Sequence, residues 1–127
     1  MDFQIKLFSW PERGNHLIMI TRGLLDMGAL EQIFQEVATV TQHLPDCKVV
    51  IDLQDAMCNL ETTDIQAFVN GLKPDGWSSL KVAMLSPHQI EQYDQLFVLT
   101  SGLSKLGFKI AIFYDSKAAV SWLADTV

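Results

Sequence analysis

A repeated change of hydrophobic period constrains this chain more than any other feature. Residues 3–8 (FQIKLF) alternate apolar and polar side chains, the period of a strand with one covered face. Residues 16–22 (HLIMITR) form a second, more apolar run, and the stretch between them holds Pro11 and Gly14. Two strands joined by a short polar loop predict an antiparallel hairpin. Gly23 breaks the pattern, and apolar residues then recur at helical spacing: Leu30, Ile33, Phe34, Val37 and Leu44. Asp26 caps this segment and Pro45 stops it. Three more apolar runs follow, at residues 49–51, 81–85 and 109–114, each leading into another segment of helical period. Runs this apolar suit strands covered on both faces.

The order predicted is ββαβαβαβα, an α/β domain with a mixed, mostly parallel sheet and four helices. Strands reached through helices favour parallel pairing and right-handed crossovers. The length of 127 residues fits a single domain, 1–127. In the second helix Thr63 and Gln66 read as a capping box, and Ile65, Phe68, Val69 and Leu72 share a face before Pro74, Asp75 and Gly76. In the third, Ser86 reads as the cap, Pro87 as the first position and Gln89 as the closing residue. That helix carries Ile90, Tyr93, Phe97 and Leu103 and ends by Gly107. Asp115 caps the last helix, which bears Ala119, Val120 and Leu123, while residues 54–60 show no period and read as an irregular loop.

Charge and motif content narrow the function. The formal net charge is -6 and the nine Lys and Arg residues are scattered, so binding to nucleic acid or an anionic membrane is disfavoured. No apolar segment approaches the ~20 residues that span a bilayer. The first residues are neither basic nor continuously apolar, so no secretory signal is read and a cytoplasmic location is expected. Cys47 and Cys58 then read as reduced thiols, with Asp55 and Glu61 beside Cys58 holding its pKa up. His16 and His43 have no metal-ligand spacing with either cysteine, and no glycine-rich phosphate loop occurs. No metal or cofactor is expected.

Parallel strands place their C-terminal ends on one edge, where ligands of open α/β sheets bind. Arg22, Asp52, Ser86 and Asp115 are expected there, with Lys48, Lys81 and Lys109 at the opposite edge. Met57 and Leu60, in the 54–60 loop, flank the same edge. Trp10 and Trp77 fall on turns, where they pack over the sheet's ends or rim a partner surface. Asp52, Ser86 and His88 suggest a small hydrolase or transferase as an alternative. However, no Gly-x-Ser-x-Gly elbow is present, and caps and turns select these same residue types. The main expectation is a non-catalytic module binding a protein partner or a small apolar or anionic ligand, with a structural homodimer subunit as a third reading.

Several stretches resemble the SpoIIAA-like family, relatives of the STAS domain of anti-sigma-factor antagonists. Val49-Val50-Ile51-Asp52 is similar to the family's third strand and Lys81-Val82-Ala83 to its fourth. Gly107 through Phe113-Tyr114-Asp115, then Ala119 and Trp122-Leu123, resemble its final strand and helix. The resemblance implies a regulatory role. It also implies phosphorylation of a Ser in an Asp-Ser-Ser-Gly-like turn after the third strand. Here that turn reads Asn59-Leu60-Glu61-Thr62-Thr63-Asp64, with neither Ser nor Gly. Thr62 and Thr63 are the remaining acceptors. A helix N-terminus favours phosphate, but Glu61 and Asp64 oppose it, so no stoichiometric phosphorylation is expected.

Overall fold

The computed structural model describes residues 2–10, 14–42, 44, 46–73, 77 and 80–124. The elements follow the expected order: β1 (Asp2–Trp10), β2 (Gly14–Leu25), α1 (Met27–Thr41), β3 (Lys48–Cys58), α2 (Thr62–Gly71), β4 (Lys81–Leu85), α3 (Ile90–Lys105), β5 (Lys109–Phe113) and α4 (Ser116–Ala124). They build one sheet in the order β1-β2-β3-β4-β5. β1 pairs antiparallel with β2, and every later pair is parallel.

The sheet separates two cores of unequal size. On one face Leu17, Met19, Val49, Ile51, Val82, Met84, Ile110 and Ile112 meet the inner sides of α1, α2 and α3. On the other, Ala83 and Leu85 meet Ala119 and Leu123 of α4, with Trp122 and Phe113 at the margin. The alternation of odd and even positions along each strand is the pleat expressed as two layers. Trp77 is buried and packs against Phe34 and Phe108, at 5.2 and 5.7 Å between ring centroids. Of the two readings of its turn, packing holds. Trp10 closes β1 opposite Gly14 instead of lying in the hairpin loop. Its side chain lies outside the described residues, as do Pro11, His43, Pro45, Pro74, Asp75 and Gly76.

Several sequence expectations need correction. The 54–60 stretch is largely strand: β3 runs on to Cys58, and β2 runs through Gly23 (φ 102°) to Leu25. A bulge explains the lost period. Ile20 pairs with Asp52 but Arg22 pairs with Asp55, so two residues of β3 oppose Thr21. The buried positions of β3 therefore switch from Val49, Ile51 and Leu53 to Ala56. α3 begins at Ile90, not at Pro87, and its N-cap Gln89 makes no side-chain cap bond. Ser86 precedes a proline, which favours extended backbone, and its N–H continues the sheet by donating to the Phe113 carbonyl at 2.8 Å. α2 begins at Thr62 with Glu61 as N-cap, displacing the expected box at Thr63. Val120 faces solvent. Other ends match expectation: Asp26 accepts from the Ala29 N–H at 2.8 Å, and Asp115 from the Lys117 N–H at 2.9 Å. At the end of α3, Gly107 (φ 102°) lets its N–H reach the Ser104 carbonyl and the Phe108 N–H reach that of Leu103, a Schellman closure.

Candidate functional site

β4 and β5 stop at Leu85 and Phe113, level with Asp52 of β3. β2 and β3 run on past that line as a two-strand ribbon, from Arg22 opposite Asp55 to Leu25 opposite Cys58. The C-terminal edge is therefore stepped. The step is pinned to the start of α3 by side-chain amides. Gln92, buried, accepts from the Cys58 N–H at 2.6 Å through Oε1, and its Nε2 donates to Gln89 Oε1. Gln95 accepts from the Leu60 N–H at 3.3 Å.

The polar residues expected at this edge are mostly committed to their own backbone. Asp52 Oδ1 accepts from the Gln54 N–H at 3.0 Å, and its carbonyl accepts from the Thr21 hydroxyl at 3.0 Å. The carboxylate thus holds the bulge, a turn role within the strand, and does not sit at a strand end. Ser86 is fully buried and its hydroxyl donates to the Pro87 carbonyl at 2.8 Å. It offers nothing to a ligand, which corrects its expected placement on the binding surface. Arg22 and Asp55 face each other at 3.9 Å, both about 70% exposed, a pairing of little energetic weight. Asp115 is exposed and caps α4. Thr62 and Thr63 lie exposed in the first turn of α2.

Leu60 also departs from expectation: it is 4% exposed and belongs to the main core. Met57, by contrast, is 65% exposed. It pairs in register with Leu24, 50% exposed, so two apolar side chains stand together on the outer side of the ribbon. Burial pushes the Cys58 thiol up to about 11, so it stays protonated and weakly nucleophilic at neutral pH. Desolvation is the cause, not the acidic neighbours that the sequence suggested.

Reading the sequence missed one feature of this edge, an aromatic stack. His88 lies 6.4 Å from Tyr114, Tyr114 lies 4.4 Å from Tyr93, and Tyr93 lies 6.2 Å from Phe97, with interplanar angles of 15°, 15° and 22°. Gln54 donates to the Tyr114 carbonyl at 3.4 Å, tying the stack to β3. Desolvation, then the neighbouring Tyr93 and Asp94, raise the Tyr114 phenol above its ordinary value, so it remains a donor. Tyr114 and Phe97 are 40% and 52% exposed. The available signal was the surplus of apolar residues in α3, where Ile90, Tyr93 and Phe97 make a stripe separate from Leu96, Leu99 and Leu103.

Among the described residues no helix is long and apolar enough to cross a membrane, and no three His, Cys, Asp or Glu converge as metal ligands would.

No protein-family model matches the chain, and no curated protein matches it. Solved structures do. An uncharacterized protein of the DUF3478 family with a SpoIIAA-like fold, from Shewanella loihica PV-4, aligns with a TM-score of 0.55 at 15% identity, over 96% of this chain and 93% of that one. The anti-sigma factor antagonist SpoIIAA in its unphosphorylated form aligns with a TM-score of 0.52 at 13% identity, over 96% and 97%.

Proposed function

The SpoIIAA-like fold is the premise from which we propose that this chain is a non-catalytic, STAS-like regulatory module whose C-terminal sheet edge binds a protein partner. One observation carries the reading. At this edge the hydrogen-bonding groups of Asp52 and Ser86 are spent on backbone, while Met57, Leu24 and Tyr114 point their apolar surface outward. A hydrolase or transferase needs a free nucleophile beside a base. A binding surface needs exposed apolar and aromatic anchors with a polar rim, here Arg22, Asp55 and Asp115. The anti-sigma factor antagonist with the same fold gives a precedent for such a role, at the level of the fold alone. The reading needs no phosphate on Thr62 or Thr63, whose neighbours Glu61 and Asp64 are acidic.

The test is retention of a partner from lysate of the source cells by the immobilised chain. Met57→Ser with Leu24→Ser is expected to abolish retention, and Glu36→Lys with Glu91→Lys on the helix surfaces to leave it intact. Loss with the helix changes alone would refute the edge as the binding surface.

A further inference from the structure

β5 is the last strand of the sheet, paired with β4 and, among the described residues, with nothing on its other side. Its geometry tells which groups face outward. The Ser86 N–H donates to the Phe113 carbonyl, so Phe113 points its backbone toward β4. Backbone polar groups alternate sides along a strand. Ile110 and Ile112 therefore aim their N–H and C=O groups away from the sheet. An edge of this kind is a template for another strand unless it is blocked by proline, a bulge, a charge or a cover. β5 is short and carries a charge only at its first residue, Lys109; its interior Ile-Ala-Ile has no proline, bulge or charge.

Beside this edge lies a trough of about 360 Å³, floored by Ile110, Ala111 and Ile112 and walled by α3 through Tyr93, Phe97 and Ser104. A helix running along an open strand edge is the arrangement in which an extended peptide adds to a sheet, its backbone on the strand and alternate side chains against the helix. Charge chooses the occupant. Lys105, exposed, lines one end of the trough. Among the described residues it has no ion-pair partner, although the chain as a whole carries -6. The other end is aromatic, where Phe97 and Tyr93 continue the stack toward Tyr114.

We propose that the trough between α3 and β5 takes an extended peptide segment of a partner protein as a sixth strand. Its alternate apolar side chains lie on Tyr93 and Phe97, and an acidic residue meets Lys105. This surface is distinct from the Met57–Leu24 tip, and the proposal stands or falls without it.

The probe is a phage-displayed library of random peptides selected on the full chain, with recovered sequences synthesised and measured by fluorescence anisotropy. Recovered peptides should alternate apolar residues and carry an acid at one end. Binding should slow amide exchange at Ile110 and Ile112, and methylating alternate peptide nitrogens should abolish it. Lys105→Glu should weaken binding about fivefold or more, while Lys73→Glu with Lys117→Glu should change it less than about twofold. Met57→Ser should leave it unchanged, which separates this site from the edge. The proposal is overturned if no peptide is recovered, if bound peptides leave Ile110 and Ile112 exchange untouched, or if the lysine reversal has no effect. It is equally overturned if the chain alone dimerises and protects these two amides, since a second copy is then the occupant.

Discussion

α1 and α3 cover the same face of the sheet and are nearly equal in length, fifteen and sixteen residues. They differ in what they show to water. α1 buries Leu30, Ile33, Phe34 and Val37 and exposes Glu31, Gln32 and Gln35. α3 buries Leu96, Leu99 and Leu103 together with Gln92 and Thr100, and still exposes Ile90, Phe97 and Val98. A helix needs one apolar stripe to hold it on a sheet. α1 has one and α3 has two. The second stripe stays largely in water, although its Tyr93 also packs against the core. It is the surface on which the proposed peptide trough between α3 and β5 rests.

The inner stripes of the two helices should be equivalent. Leu99 and Ile33 are both fully buried in the main core. Leu99→Ala and Ile33→Ala should each cost about 2–5 kcal/mol in urea unfolding, through lost burial and the cavity left behind. A loss at Leu99 below about 1 kcal/mol would mean that α3 is not anchored by this stripe. The next effect is polar. Gln92→Met keeps the length of the side chain but removes the acceptor for the Cys58 N–H. The part-buried donor is then left unpaired, a loss of about 1 kcal/mol, and the Cys58 amide should exchange faster. Unchanged Cys58 exchange would show that the step between β3 and α3 is held by something else.

How far the sequence was legible follows from the same two helices. α1 has a single apolar stripe, so spacing alone placed Leu30, Ile33, Phe34 and Val37 inward; Leu44, read onto the same face, lies beyond the helix end at Thr41 and is partly buried. In α3 the same rule chose Ile90, Tyr93, Phe97 and Leu103, of which Leu103 is buried and Ile90 and Phe97 are exposed. The sheet also took Leu96 and Leu99 and admitted Gln92, because that amide is satisfied by the Cys58 N–H and Gln89. Periodicity counts apolar residues and does not register a buried polar group that finds partners. The β3 bulge had a similar effect, since one extra residue moved Ala56 into the core and made strand look like loop. The edge itself was readable: parallel strands alone bring Asp52 and Asp115 to one side. Which residues there stay available was not, because it depends on bonds such as that from Ser86 to the Pro87 carbonyl, whose partner cannot be inferred from residue type.

Phe97 is 52% exposed and its ring rests on Tyr93 at 6.2 Å. An aromatic pair of this kind contributes about 0.5–1.5 kcal/mol, and Phe and Ser have similar helix propensities. Phe97→Ser should therefore lower stability by about 1 kcal/mol, less than either inner change. Because Phe97 also walls the trough, the same variant should lose most of its affinity for peptides selected on the parent chain. Urea unfolding and anisotropy on one preparation decide the matter. A cost above about 3 kcal/mol, typical of a core aromatic, would place Phe97 among the residues that hold α3 down. The contrast between the two helices would then disappear.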